Sequence, residues 1–496
     1  NCGLGAAPVT GRFTEMLERQ AAGIADSPAG AEPETPAEIA SRVVASGGHA
    51  QTIKTLAGRH GAYRWSFGQF LDAVEAARPG VNFVQLAPHN AIRRCVMGND
   101  QRPAAEAEIA SMAELVGACV EEGAYGLSSG LVFIPGCWSK PEELVPLCEV
   151  VAKAGGYYAS HIRGERETNI EATAEFISTV EQSGVRGNIS HMQSKWPVLG
   201  NGIRKIEMIE EARARGFDIT CDYEVYNRNR GSLISFLQIY HYTPDQILAK
   251  LRTLEGRVEF KRTMRGIDPW HPLGRFGPGG VPYRRAWDRV VIWRCERHPE
   301  LQGKTIAAVG AERGVDYEDA LFDLTLENGV DGLWLINDYI EDEHYRIAPW
   351  AQCILPSIDT GLFDPNGHFS EMDFRYQLDV GAPSTIGMAP RVLGQFVREE
   401  KLLKLEEAVR RMTSLPMSVV GIGDRGYVRP GMWADITVFD AATVGMRSAN
   451  ARPEDARSCW PAGIDWVLVN GEVVMRGHEH TGARAGRVLR KSNGVA

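Results

Sequence analysis

Gly156-Tyr157-Tyr158-Ala159-Ser160-His161-Ile162-Arg163, followed by Arg186-Gly187-Asn188-Ile189-Ser190-His191-Met192-Gln193, decides the reading of this chain. Each stretch holds a strand-like run that closes on Ser-His, and residues 170 to 184 between them form an amphipathic segment of helix length. Similar runs stand at Val81-Asn82-Phe83-Val84-Gln85-Leu86 and Phe217-Asp218-Ile219-Thr220-Cys221, with helical patterns at 104 to 122, 141 to 154 and 203 to 215. Strands joined by crossovers this long predict right-handed parallel connections, hence an α/β chain built as a barrel or a doubly wound sheet.

Two regions break that rhythm. Residues 227 to 316 are rich in Arg, Gly and Pro and carry no clean period, which predicts an inserted subdomain or active-site cover. From Asp424 onward the chain is β-like, and Asn470-Gly471 reads as the turn joining two strands. The expected division is therefore a first barrel part (1–226), an insertion (227–316), a last barrel part (317–420) and a C-terminal β unit (421–496).

Composition narrows the function. The 496 residues carry 54 Lys+Arg against 63 Asp+Glu, a net charge of −9, with no basic block of five or more, so there is no footprint for nucleic acid or anionic lipid. No run of about 18 apolar residues is present to span a membrane. Nine cysteines without a Cys-x-x-Cys pair read as reduced, which predicts a cytoplasmic setting. The chain starts Asn1-Cys2-Gly3 without a methionine, which predicts a missing N-terminal segment.

In a parallel barrel the carboxyl ends of the strands share one mouth, so His161 and His191, one β-α unit apart, would point at the same spot. A single histidine at a strand end more often makes a local hydrogen bond; a matched Ser-His pair favours metal ligands. Cys2 offers a third, thiolate ligand for zinc, although a lone cysteine is usually a small buried hydrophobe. Asp359, closing the run Ile354-Leu355-Pro356-Ser357-Ile358, is either a solvated loop aspartate or a general base. Arg163 and Glu165, beside the first histidine, read as support for it.

The chain resembles the N-acyl-D-amino-acid deacylases (D-aminoacylases) of the amidohydrolase superfamily over nearly its whole length. The resemblance rests on Asn1-Cys2-Gly3, Met97-Gly98-Asn99-Asp100-Gln101-Arg102-Pro103, Gly123-Ala124-Tyr125-Gly126-Leu127-Ser128-Ser129-Gly130-Leu131, Tyr158 to Glu165, Ile189-Ser190-His191, Pro390 to Gly394 and Arg429 to Asp435. It implies a distorted (β/α)8 TIM-type barrel with an inserted subdomain and a small β-sandwich formed with the C-terminal segment. It further implies one tightly bound Zn2+ on Cys2, His161 and His191, with Asp359 as catalytic acid/base and a small N-acylated molecule as substrate. The family's first-strand metal pair lies upstream of where this chain begins, so a second metal position would lose two ligands. Oligomeric state is left open, a homo-oligomer included.

Departures from the family pattern fall on substrate recognition. Where the family has His-Pro-Arg, whose arginine clamps the substrate α-carboxylate, this chain reads Ala382-Pro383-Ser384, and serine cannot reproduce that fork. A family lysine is Gln193 here, a pocket tyrosine is Phe133, and Tyr-Pro-Tyr becomes Glu224-Val225-Tyr226, with Tyr226 a donor to the developing oxyanion. With Arg163, these residues are expected to line the substrate site. The reading is zinc-dependent hydrolysis of an N-acyl amide with altered carboxylate recognition. The alternatives are a neutral or cyclic amide or carbamate as substrate, or a non-catalytic scaffold.

Overall fold

The computed structural model describes residues 7–8, 66–100, 102–133, 135–165, 168–192, 194, 200–225, 229–231, 233, 244–264, 290–330, 332–337, 351–358, 383–446 and 461–491. Its first half alternates strand and helix. After α1 (Phe67–Ala76) come β1 (Ala87–Pro88), α2 (His89–Met97), α3 (Glu106–Glu121), β2 (Gly126–Gly130), α4 (Pro141–Lys153), β3 (Tyr157–His161), α5 (Asn169–Ser183), β4 (Arg186–Ile189), α6 (Asn201–Ala214) and β5 (Ile219–Glu224). Strand β9 (Ile354–Ser357) joins much later, and the six strands lie side by side in the order β1-β2-β3-β4-β5-β9, every pair parallel.

Local chemistry explains the helices. Helix α3 begins with Glu106 and Glu108 in its first turn, and the Glu108 carboxylate accepts the otherwise orphaned N–H of Ala105 at 2.8 Å. Its buried stripe is Met112, Val116, Cys119 and Val120, spacings of four, three and one that keep one face on the sheet. Helix α4 opens on Pro141 with Glu142 and Glu143 beside it and closes near Lys153, the arrangement that complements its dipole. Helix α5 stops at Gly184, whose φ of 69° is a left-handed cap that glycine adopts without strain. Burying each large side chain of these stripes contributes about 1.5–3 kcal/mol, so the helix layer rather than local propensity holds the sheet.

Strand β3 shows how the two faces divide. Tyr158 stacks on Phe176 of α5, with ring centroids 5.4 Å apart, and its hydroxyl shares Ser129 Oγ at 2.6 Å; Ser160 Oγ lies 2.8 Å from the same oxygen. Tyr158 and Ser160 therefore face the helices, while Tyr157 and Ala159 pack against Leu86, Tyr125 and Ile422 on the other side. His161, next in the alternation, belongs to that inner face.

Between β5 and β9 the chain builds a different unit. Three strands, β6 (Asn229–Gly231), β7 (Val290–Cys295) and β8 (Leu333–Asn337), form an antiparallel sheet in the order β6-β8-β7. Helices α7 (Pro244–Leu251), α8 (Leu254–Met264), α9 (Ile306–Arg313) and α10 (Tyr317–Asn328) accompany it. Its hydrophobic cluster runs from Leu233 to Leu335 and is distinct from the cluster under the parallel sheet. The unit thus extends past residue 316, the expected end of the insertion.

After α11 (Pro383–Arg391), α12 (Leu405–Met412) and α13 (Ser414–Val420), the C-terminal strands begin. β10 (Ile436–Phe439), β13 (Ile464–Val469), β14 (Glu472–Arg476) and β15 (Glu479–His480) make a four-stranded antiparallel sheet, and β11 (Gly445–Met446) pairs with β12 (Pro461–Ala462). Asn470 and Gly471, at φ 52° and 87°, form the two-residue turn between β13 and β14. The sheet is tied to the approach to β1, because Asn82 donates to Asp435 and Phe83 exchanges backbone hydrogen bonds with Arg487 and Leu489.

Candidate metal centre

His161 is the last residue of β3, and His191 follows β4, the adjacent strand. Parallel pairing brings both to the carboxyl end of the sheet, where the rings meet edge to face with centroids 4.3 Å apart. Glu165 returns to them from the turn after β3. Its Oε1 lies 3.1 Å from His191 Nδ1, and its Oε2 lies 3.5 Å from His161 Nε2. A side chain at Gly164 would place its Cβ 2.1 Å from Thr168 Oγ1, so the turn that carries Glu165 inward passes close to Thr168, and a larger residue would have to displace that hydroxyl.

Three buried side chains, two imidazoles and a carboxylate, thus offer ligand atoms within 4.8 Å of one another. Donors around one tetrahedral zinc at about 2.1 Å stand about 3.4 Å apart, so small side-chain rotations bring this set to coordination distance. Nitrogen and carboxylate oxygen are also the donor types that suit that ion. Among the described residues no other group of three meets the same test.

The surroundings hold these groups in place. Phe133 packs edge to face on His161, with centroids 5.1 Å apart, and its own carbonyl accepts from Asn90 Nδ2 at 3.2 Å. His191 has a φ of 35°, uncommon for a residue with a side chain, and its N–H donates to Asp222 Oδ1 at 2.9 Å. The next carbonyl, of Met192, accepts from buried Lys205 Nζ at 2.8 Å.

Arg163 points elsewhere. Its guanidinium grips both oxygens of Glu175 at 2.9–3.1 Å and donates to the carbonyls of Cys137 (3.0 Å) and Ser139 (2.8 Å). Cys2, Gln193, Tyr226 and Asp359 lie outside the described residues, and of Ser384 only the backbone, in α11, is described. Ser357, two residues before Asp359, ends β9 at the same mouth and donates to Asp222 Oδ1 at 2.6 Å. Sequence reasoning gave Glu165 a supporting part and overlooked Asp222. The signals were the His-x-x-x-Glu spacing, and polar residues at alternate positions (Thr220, Asp222, Glu224) of a buried parallel strand.

The amidohydrolase family model matches residues 369–475. Fold and match together define the class: amidohydrolases, metal-dependent enzymes that hydrolyse carbon–nitrogen bonds other than peptide bonds. Among relatives, the N-acyl-D-glutamate deacylase of Alcaligenes xylosoxydans xylosoxydans is 30% identical over 428 residues, covering 86% of this chain and 73% of its own. The D-aminoacylase of the same organism is 29% identical over 434 residues, covering 87% and 75%. A crystal structure of D-aminoacylase superposes with a TM-score of 0.65 at 24% identity, covering 99% of this chain and 81% of that one. The N-acyl-D-glutamate deacylase of Bordetella bronchiseptica, complexed with zinc and a phosphonate inhibitor, gives 0.66 at 24% identity, with the same coverage. The chain belongs to the D-aminoacylase family of the amidohydrolases.

Proposed function

We propose that this chain is a zinc-dependent hydrolase of N-acyl amides whose handling of the substrate carboxylate differs from that of its deacylase relatives. The observation that carries the proposal is the convergence of buried His161, Glu165 and His191 at the carboxyl ends of adjacent parallel strands, in a chain of this family. Cys2, His161 and His191 would hold one zinc ion, with the Glu165 carboxylate as a further donor or as the hydrogen-bond acceptor that orients the His191 ring. When bound, that ion supplies a Lewis acid that activates water and polarises an amide carbonyl. Asp359 takes the proton of the attacking water and returns it to the departing nitrogen. Tyr226 donates its hydroxyl to the developing oxyanion.

Phe133 supports the substrate assignment, because its ring lies against His161 and presents an apolar wall where a tyrosine would offer a hydroxyl. Gln193 and Ser384 would replace the lysine and arginine of the family pattern at the substrate site, leaving it without those charges. We read the complete fold as a distorted (β/α)8 barrel with an inserted unit and a C-terminal β-sandwich, in a cytoplasmic protein.

The test is hydrolysis of a panel of N-acyl-D-amino acids, N-acyl-L-amino acids and neutral or cyclic amides by zinc-loaded protein, repeated with Ser384→Arg. Zinc-dependent cleavage of acyclic amides, with Ser384→Arg lowering KM for N-acyl amino acids, supports the proposal. Cleavage of cyclic amides alone would redirect it, and no zinc-dependent cleavage of any member would refute it.

A further inference from the structure

Asp222 sits near the end of β5 and collects three donors from the two strands beside it, β4 and β9. Its Oδ1 accepts the His191 N–H at 2.9 Å and the Ser357 hydroxyl at 2.6 Å, and its Oδ2 accepts Asn188 Nδ2 at 2.6 Å. Its own carbonyl accepts the Met192 N–H at 2.8 Å. Among the described residues no ion pair involves this carboxylate. Burial, and the Asp222 charge, push the Tyr157 hydroxyl pKa upward, which agrees with Asp222 facing the interior side of the sheet with Tyr157.

We infer that Asp222 is a positioning residue: it locks the left-handed backbone of His191, and with it the imidazole aimed at the metal, and couples that lock to the strand leading to Asp359. The chemistry favours such a role. A non-glycine residue at positive φ is strained and persists only where its surroundings over-determine it. A carboxylate accepting a backbone N–H makes a short, charge-assisted bond that can offset this strain. Because the same oxygen also receives Ser357, a change at either strand end is felt by the other.

The inference rests on His161 and His191 binding zinc, so the experiment separates the two claims. Zinc affinity is measured by competition with a chromophoric chelator, and the metal-free thermal midpoint by calorimetry, for the full chain, Asp222→Asn, Ser357→Ala and Thr220→Val. Thr220 lies on the same strand and donates to Asn188 Oδ1 at 2.9 Å rather than to Asp222, so it reports damage to the neighbouring network. Expected is a loss of zinc affinity of about tenfold or more for Asp222→Asn, a loss of several-fold for Ser357→Ala, and unchanged affinity for Thr220→Val even where its midpoint falls. Unchanged affinity in Asp222→Asn, or equal loss in Thr220→Val, overturns the positioning role while leaving the metal centre standing. If Asp222→Asn does not fold, Ser357→Ala decides, and unchanged affinity there overturns the inference. Absence of zinc binding by the unaltered chain overturns both claims.

Discussion

Oε1 of Glu165 lies 3.1 Å from Nδ1 of His191, and both side chains are buried. A buried carboxylate beside two imidazoles is stable only where positive charge is shared among them, from a proton or from an ion. If that charge is a metal, Glu165→Gln keeps the volume and removes the negative charge. Zinc affinity is expected to fall by about 10–100-fold, read by chelator competition. A variant that binds zinc as tightly as the parent would remove Glu165 from the metal's environment.

Asp359→Asn addresses proton transfer. The variant is expected to retain its zinc while turnover falls by at least about 100-fold, since general acid–base catalysis contributes about 10²–10⁴-fold. Metal content and kcat measured on the same preparation check this. Undiminished kcat would assign the proton to another group, and Glu165 would be the next to test.

Arg163 holds Glu175 with paired donors and ties the Cys137–Ser139 segment to α5. Lysine cannot reproduce that planar fork, so Arg163→Lys is expected to cost about 1–3 kcal/mol in urea-induced unfolding. A raised KM without loss of stability would instead place the guanidinium on the substrate.

The carboxyl of Glu108 is lowered from 4.5 to about 2, chiefly by its hydrogen bond from Arg102, with the N–H of Ala105 adding to it against the effect of burial. A folded-state pKa below the unfolded value stabilises the fold above about pH 4.5, and that contribution disappears as pH falls toward 2. Glu108→Gln is therefore expected to flatten the acid limb of the stability curve over this window, and to cost a few tenths of a kcal/mol to about 1 kcal/mol near neutrality. Urea unfolding at pH 6, 4.5 and 3 measures it, and parallel acid limbs for both proteins would contradict it.

Much of the parallel half was legible because its helices carry continuous apolar stripes and its strands β3 and β5 carry aromatic or β-branched residues. β2 was not seen as a strand: Gly126-Leu127-Ser128-Ser129-Gly130 has little β propensity, and what holds it is burial together with Ser129's bonds to Tyr158 and Ser160. Conversely Val81–Leu86 reads as a strand, yet the parallel sheet takes Ala87–Pro88 instead. Phe83 is diverted because its backbone groups are committed to Arg487 and Leu489, more than 400 residues away in sequence.

The β6-β8-β7 sheet was illegible for a related reason: Asn229–Gly231 finds its partner in Leu333–Asn337, far along the chain, and periodicity carries no record of such pairing. At the site, strand-end logic found both histidines from local sequence. It could not assign Glu165 its place, because the carboxylate reaches both rings only through the turn after β3, whose direction local sequence does not record. Nor could it find Asp222, whose importance comes from three donors converging from other strands.

The most direct test of the account is anomalous diffraction from zinc-loaded crystals, collected on both sides of the zinc absorption edge. The account predicts one strong peak about 2.0–2.1 Å from an imidazole nitrogen of His161 and of His191. Zinc ordered elsewhere, with these two rings unligated, would contradict it.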